Sequence, residues 1–189
     1  MNKTEIRNQH LAKRMALSQQ QMHQHLAMML HHFQQLSFAK AGYVLSYFPI
    51  TKRKEVMPQY FAESLQDNFP NIRFCFPKTD FLTCSMEAIA DDEDMETAVN
   101  TFGLTEPVNG KIVAPELLDI IFVPLAGFDS KGFRVGYGKG FYDRFIPRCR
   151  EDVATIGLSF FEAVDEITDT HEFDVPLKYC ITPQQLYEF

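Results

Sequence analysis

The residues best suited to chemistry lie in one glycine-rich and basic stretch, residues 131–150. Its glycines permit backbone conformations that other residues disfavour, so that N–H groups can approach an anion closely. The spacing fits neither G-x-G-x-x-G nor the P-loop pattern, because Lys139 is followed by glycine and not by Ser or Thr. The pattern predicts a phosphate-binding loop of no standard type. The glycines concerned are Gly132, Gly136, Gly138 and Gly140.

The charge of this stretch strengthens the prediction. Six basic side chains share it with a single acid, Asp143, although the net charge of the whole chain is −7. A polyphosphate ligand needs such a basic patch, and two or three cations can clamp a transferring phosphoryl group. Asp143 is a candidate Mg²⁺ ligand, because this ion takes one or two carboxylates together with phosphate oxygens. The alternatives are a solvated basic helix face and an ion pair between Asp143 and an arginine. The cations are Lys131, Arg134, Lys139, Arg144, Arg148 and Arg150.

Two elements must position this loop. Residues 117–124 form a nearly continuous apolar run, which is typical of a strand covered on both faces. Residues 141–150 follow the loop and are predicted to be a helix. Ligands of parallel sheets bind outside the carboxyl ends of the strands. The order strand, glycine loop, helix therefore predicts a binding site at this point.

The rest of the chain alternates between helical and strand patterns. Such alternation predicts an α/β fold: a mostly parallel sheet flanked by helices, Rossmann-like, an open α/β sandwich. We expect one domain over residues 1–189. An exposed turn or helix is expected at 91–96 and a loop at 102–111. Helices are predicted at 2–17, 18–36, 56–69 and 141–150, and strands at 42–48, 72–76, 83–89, 117–124, 154–159 and 179–182.

Composition narrows the functional classes. An acidic chain is a poor general binder of nucleic acid or of anionic membranes, and we expect neither partner. The sequence contains no apolar run of about 18 residues and no apolar N-terminal segment, so we expect a cytoplasmic, unanchored protein. The four cysteines are widely spaced, which favours reduced thiols over disulfides or zinc. Five of the six histidines lie in the first two predicted helices, where we expect surface or packing roles.

The loop resembles a known family signature. The run Gly132-x-Arg134-x-Gly136-x-Gly138-Lys139-Gly140-Phe141-Tyr142-Asp143, after an apolar strand and a Phe-Asp pair, is similar to that of the 5-formyltetrahydrofolate cyclo-ligase (methenyltetrahydrofolate synthetase) family. The resemblance covers nearly the whole chain. Its other parts are Lys3-x-x-x-Arg7, Pro77-Lys78, Phe102-Gly103-Leu104-x-Glu106-Pro107, the Gly157 strand and Asp174-Val175-Pro176-Leu177.

The resemblance implies an activity, two cofactors and a set of site residues. The activity is the ATP- and Mg²⁺-dependent conversion of 5-formyltetrahydrofolate to 5,10-methenyltetrahydrofolate, with release of ADP and phosphate. Arg134 and Lys139 are the implied catalytic cations, and Asp143 and Asp174 the implied Mg²⁺ ligands. Implied ATP contacts are Lys3, Arg7, Arg134, Gly136, Tyr137, Gly138, Lys139, Gly140, Phe141 and Tyr142. Implied contacts of the reduced folate are Tyr47, Phe48, Glu55, Phe102 and Tyr142.

Other interpretations stay open from the sequence. One is an enzyme of similar scaffold that acts on a sugar phosphate or an acyl-CoA and needs no ATP. Another is a non-catalytic folate- or nucleotide-binding protein. The basic run at Lys52, Arg53 and Lys54 is either a solvated turn or a contact for the tail of a polyglutamylated folate. We expect a monomer.

Overall fold

The computed structural model describes residues 1–38 and 41–189. No helix in these two ranges combines the length and the apolar character that a bilayer crossing demands. The helices are α1 (Lys3–Ala16), α2 (Gln19–Phe33), α3 (Gln59–Asn68) and α4 (Phe141–Phe145). The strands are β1 (Tyr43–Leu45), β2 (Arg73–Asp80), β3 (Ser85–Ala90), β4 (Thr97–Val99), β5 (Thr105–Pro107), β6 (Ile112–Val113), β7 (Ile120–Val123), β8 (Gly127–Phe128), β9 (Arg134–Val135), β10 (Ala154–Leu158), β11 (Tyr179–Ile181) and β12 (Leu186–Glu188).

Eight of these strands form one sheet in the order β12-β11-β10-β7-β1-β2-β3-β6. The five strands from β11 to β2 are mutually parallel, which confirms the predicted α/β fold with a mostly parallel sheet. The flanking strands β12, β3 and β6 are joined to the sheet by antiparallel pairings: β12 with β11, β3 with β2, and β6 with β3. Residues 81–84 alone join β2 to β3, and so short a connection permits only a hairpin, since a parallel crossover needs a dozen residues or more.

The central strand β7 is buried on both faces. All four of its residues are buried, and they alternate between two apolar clusters. Ile120 and Phe122 face the cluster that α2 and α3 supply, and Ile121 and Val123 face the cluster that contains Phe145 of α4. This two-sided coverage is the reason that the strand has no polar alternation in its sequence.

Several predicted elements differ from those observed. The helix predicted at 141–150 ends at Phe145 and continues only as a 3-10 turn, Ile146–Arg148, because Pro147 has no N–H to donate. Residues 91–96 form a turn, not a helix, and the predicted loop at 102–111 contains β5, which pairs with β4. The hairpin of β8 and β9 was also not predicted, since each strand has two residues, too few for a periodic signal.

Asp119 anchors the start of the central strands. Its Oδ2 accepts hydrogen bonds from Gly42 N (2.7 Å) and Tyr43 N (3.1 Å), which fixes the start of β1 beside that of β7. Its Oδ1 accepts from Arg150 Nη2 at 2.8 Å. Burial acts to raise the pKa of Asp119, but the arginine and the two backbone donors outweigh it and hold the pKa below the usual range.

This balance predicts how stability depends on pH. Because the pKa of Asp119 is lower in the folded than in the unfolded chain, its stabilisation is complete above the unfolded pKa, about 3.9. It is lost as pH falls through the folded pKa. We expect Asp119→Asn to lower the free energy of unfolding at pH 7 and the difference from wild type to shrink below about pH 4. Urea unfolding at several pH values measures this; a difference that is constant from pH 3 to 7 would contradict it.

Candidate active site

One cleft of about 780 Å³ lies where the parallel strands end. Tyr47 and Phe48 reach it after β1, and Pro124 reaches it directly after β7. The far half of β2 adds Pro77 and Thr79, because β1 pairs with β2 only up to Cys75. All sixteen residues that the sequence assigned to ATP, folate or Mg²⁺ line this one cleft: Lys3, Arg7, Tyr47, Phe48, Glu55, Phe102, Arg134, Gly136, Tyr137, Gly138, Lys139, Gly140, Phe141, Tyr142, Asp143 and Asp174.

The glycine turn, residues 136–140, forms one wall. Gly138 (φ 83°) and Gly140 (φ 66°) adopt left-handed conformations, in which a side chain is strained. Gly136 has no positive φ, and a Cβ added to it would meet nothing within 4 Å. The helix that follows has only five residues and therefore no long helix dipole. An anion at this wall would instead be bound by the backbone N–H groups of the turn.

Helix α1 supplies cations beside the glycine turn. Asn2 and Glu5 form a reciprocal capping box, which fixes where the helix begins. Lys3 and Arg7 are four residues apart and therefore share one helix face. Lys3 Nζ lies 2.5 Å from Asp174 Oδ2, and Arg7 Nε donates to Gly136 O at 2.9 Å. The helix thereby holds the glycine turn and the C-terminal segment in place.

The other two predicted cations differ strongly in environment. The guanidinium of Arg134 is buried, lies 2.8 Å from Asp143 Oδ1 and donates to Val175 O. Burial lowers the pKa of Arg134, and the charge of Asp143 opposes that effect. Lys139 is exposed, and its ammonium lies 6.0 Å from the ring centre of Phe81. Arg134 thus braces the turn against the C-terminal segment, whereas Lys139 can move toward a ligand.

The candidate Mg²⁺ ligands each keep one oxygen outside these contacts. Asp143 uses Oδ1 for Arg134 and for Val175 N, and Asp174 uses Oδ2 for Lys3 and for His171 N. No group of three His, Cys, Asp or Glu side chains among residues 1–38 and 41–189 could hold a metal by itself. A cation here would therefore need ligands from a phosphate as well. Mg²⁺ usually binds in this way, through one or two carboxylates together with phosphate oxygens.

An aromatic wall faces the glycine turn. The rings of Phe81 and Phe102 are stacked with centres 3.8 Å apart, and Phe141 meets Phe81 edge-on at 5.1 Å. Phe102 is 59% exposed, so the stack is open to a flat ligand. A second stack is formed by Phe48 and Phe76, whose ring centres lie 4.2 Å apart.

Several residues of the cleft were not predicted from the sequence. Phe81 carries no motif, and its place becomes apparent only when the hairpin of β2 and β3 folds over the site. Glu106 belonged to the family resemblance but was given no role. Its carboxylate is buried, accepts from Asn100 Nδ2 at 2.7 Å and from the hydroxyl of Thr79, and lines the cleft.

The histidines and cysteines stay outside the cleft lining. Among the N-terminal histidines, His10 is buried, lies 3.0 Å from Ala126 O through Nδ1, and packs on Gly127, which explains the glycine at that position. Burial lowers the pKa of His10. All four cysteines are free thiols in the structure.

Fold and site together define an α/β enzyme whose cleft combines a basic glycine turn with an aromatic wall. Comparison with known proteins gives the family. The model of the 5-formyltetrahydrofolate cyclo-ligase family matches residues 1–183, and the chain belongs to that family. The 5-formyltetrahydrofolate cyclo-ligase of Mycoplasma pneumoniae is 30% identical, over 97% of this chain and 100% of the relative.

Solved structures are similar over the same extent. The NMR structure of the Aquifex aeolicus 5,10-methenyltetrahydrofolate synthetase superposes with a TM-score of 0.78 at 28% identity, covering 100% of this chain and 93% of the other. The structure of the 5,10-methenyltetrahydrofolate synthetase from Mycoplasma pneumoniae superposes with a TM-score of 0.75 at 26% identity. The match covers 96% of this chain and 98% of the other.

The glycine turn allows a paired test of its backbone. We expect Gly138→Ala to lower the free energy of unfolding by about 1–2 kcal/mol, because alanine is strained at positive φ. The matched variant Gly136→Ala should be neutral or stabilising by up to ~1 kcal/mol, since it only restricts the unfolded chain. Urea unfolding of both without ligands measures this; equal effects of the two substitutions would contradict the assigned turn geometry.

Proposed function

We propose that this chain converts 5-formyltetrahydrofolate to 5,10-methenyltetrahydrofolate at the expense of ATP. The observation that carries the proposal is one cleft that joins a glycine turn, cations and an aromatic wall. Neither a sugar phosphate nor an acyl-CoA accounts for the family match, and a pure binding protein has no need of the exposed Lys139. The reaction needs alignment and charge neutralisation, not a nucleophilic side chain of the protein.

The proposed chemistry has two steps. The formyl oxygen forms a bond to the γ-phosphorus of ATP while the bond to the bridging oxygen breaks and ADP leaves. Nitrogen N10 of the folate then bonds to the formyl carbon, loses its proton, and the carbon–oxygen bond breaks to release phosphate. In this reaction Lys139 and Arg7 would neutralise the phosphoryl oxygens, and the N–H groups of residues 136–140 would cradle them; all of these residues line the cleft.

Asp143 and Asp174 are the residues that would hold Mg²⁺. Both carboxylates line the cleft, and the charges of both act on Arg134, so they lie in the same electrostatic environment. When bound, the ion would neutralise phosphate charge and orient the nucleotide. Arg134, held by Asp143 and Val175 O, keeps the glycine turn in position during the transfer. A cytoplasmic location and a monomeric state complete the proposal.

The folate would lie against the aromatic wall. A flat p-aminobenzoyl group suits the exposed face of the Phe81–Phe102 stack, and the pterin suits the side formed by Tyr47, Phe48 and Glu55. Tyr47 is fully committed as a donor to Val56 O at 2.9 Å, so it shapes this side and keeps it rigid. Tyr142 contributes its half-exposed ring, whereas its hydroxyl is buried without a hydrogen-bond partner among the described residues.

The reaction is tested by absorbance. Protein mixed with 5-formyltetrahydrofolate, MgCl₂ and ATP should produce the near-ultraviolet band of the methenyl product, and omission of ATP should abolish it. Lys139→Ala should slow turnover about 100-fold or more, because a donor to developing charge is lost. The free energy of unfolding of this variant should stay within about 0.5 kcal/mol of the wild-type value, since the side chain of Lys139 is exposed.

Lys131→Ala is the matched control for that variant. This lysine belongs to the same basic stretch but pairs with Glu166 at 2.8 Å and does not line the cleft. Its removal should leave turnover unchanged. No ATP-dependent product from the wild-type protein would refute the proposed function, and equal turnover by Lys139→Ala and wild type would refute the role of Lys139.

We further propose that Lys52 and Arg53 contact the glutamate tail of a polyglutamylated folate. Both line the cleft, whereas Lys54 does not, because its ammonium donates to Met15 O (2.7 Å) and Leu17 O (2.6 Å) and closes the end of α1. Only the first two members of the basic run therefore face a ligand. A polyglutamate tail carries several carboxylates, which lysine and arginine side chains bind through charge-assisted hydrogen bonds.

The tail contact predicts a selective effect of Lys52→Ala. Because each added glutamate brings a carboxylate, KM should rise more for a triglutamate substrate than for the monoglutamate, by about three- to tenfold at low salt. Steady-state kinetics with both substrates measures this, and the gap should narrow at high ionic strength. Equal changes in KM for the two substrates would exclude the contact.

A further inference from the structure

A buried polar chain runs from the cleft wall back into α1. Its three members are Glu55, Tyr137 and Arg14. The hydroxyl of Tyr137 donates to Glu55 Oε1, and Arg14 Nη2 donates to that same hydroxyl at 3.2 Å. Glu55 and Tyr137 line the cleft, and Arg14 does not. Arg14 therefore lies behind the other two, and any effect that it has on a ligand must pass through them.

Arg14 is an unusual residue to bury in this place. It is 6% exposed, and arginine stays charged in proteins. Within residues 1–38 and 41–189 it forms no ion pair with a carboxylate; its Nε is buried without a hydrogen-bond partner, and its remaining contact is a 3.5 Å approach of Nη1 to Leu125 O. A buried cation is costly unless something compensates it. The charge that compensates it is that of Glu55, one hydroxyl away.

Glu55 is itself buried, with 5% exposure, and both of its oxygens are engaged. Oε2 accepts from Ile50 N at 2.6 Å, and Oε1 accepts from Tyr137. Burial raises the pKa of Glu55, and these two hydrogen bonds together with the charges of Arg14 and Arg53 oppose that rise. Burial therefore favours the protonated carboxyl group, and these hydrogen bonds and charges favour the ionised one.

The state of Glu55 matters for a pterin. The edge of that ring presents N–H donors, which an ionised carboxylate accepts and a protonated one accepts poorly. We propose that Arg14 and Tyr137 are positioning residues for folate binding, which hold the carboxylate of Glu55 ionised and oriented on the cleft wall. This inference rests on the proposed function, and in particular on Glu55 as a folate contact.

Other titratable groups around Glu55 do not interfere near neutral pH. Arg53 approaches from the turn at 51–53 and lies over the ring of Tyr137 at 4.8 Å. Burial raises the pKa of Tyr137 to about 12, and it raises those of Tyr47 and Tyr142 as well. The hydroxyls of these three tyrosines therefore stay protonated near neutral pH, and the charges that face Glu55 from the surrounding elements are those of Arg14 and Arg53.

The test is a pH profile of folate kinetics in Tyr137→Phe and Arg14→Met. We expect KM for 5-formyltetrahydrofolate at pH 7 to rise about tenfold in each variant, because each loses one hydrogen bond to a charged group. The KM for ATP should stay within twofold of the wild-type value. The acid limb of kcat/KM for folate should move to higher pH by half a unit or more. Arg14→Lys should restore part of the loss, because it returns the charge.

Lys13→Met is the matched control. Lys13 is the exposed neighbour of Arg14 on α1, and both charges lower the pKa of His10, so this variant reproduces any indirect effect through the histidine. It should keep the wild-type profile. Tyr137→Phe removes a single oxygen and keeps the test decisive even if Arg14→Met fails to fold.

The outcomes separate the two proposals. A wild-type protein with no ATP-dependent turnover would refute the proposed function and this inference with it. A wild-type protein that turns over, together with folded Tyr137→Phe and Arg14→Met variants whose pH profiles match it, would refute only the role of Arg14 and Tyr137. A rise in KM for ATP equal to that for folate would also refute it, because the hydroxyl would then serve the nucleotide.

Discussion

The site depends on the way in which α1 docks against the glycine turn and the C-terminal segment. One face of this helix carries Lys3, Arg7, His10 and Arg14, and each of them contacts a segment more than a hundred residues away. A capping box fixes the first turn of the helix, and Lys54 closes its last turn, so its rotation about the axis is set at both ends. Because these contacts are polar and specific, a shift of the helix by one residue would remove two cations from the cleft and leave buried partners without hydrogen bonds.

The cleft also has to hold several charges close together without a ligand. It does so by pairing them: Arg134 with Asp143 and Lys3 with Asp174, across the turn, α1 and the C-terminal segment. These pairs keep the cations and the carboxylates in place without a ligand, so the binding proposed here would need little reorganisation. Lys139 is different, since it is exposed, and in the proposed reaction it would follow the γ-phosphoryl group as that group moves. Positioning and charge neutralisation are thus divided between rigid and mobile side chains.

Much of this arrangement could be predicted from the sequence, and the remainder could not for definite reasons. The long apolar run of β7 and the glycine pattern after it are local signals, and they placed the central strand and the turn correctly. The helix predicted at 141–150 is too long, because Pro147 cannot continue the helical hydrogen bonds beyond Phe145. Phe81 and Arg14 had no local signal at all. Their roles arise from contacts between distant segments, which composition and spacing do not encode. Glu55 was assigned only by resemblance, and the network that surrounds it became visible only in the fold.

The central claim is that the cleft brings the formyl oxygen of the folate into line with the γ-phosphorus of ATP. The most direct measurement follows that oxygen. A single turnover with 5-formyltetrahydrofolate labelled with ¹⁸O in the formyl group should place the label in inorganic phosphate, with none in ADP, as read by mass spectrometry of the products. Label released as water, with unlabelled phosphate, would mean that the oxygen never reaches phosphorus and would contradict the account.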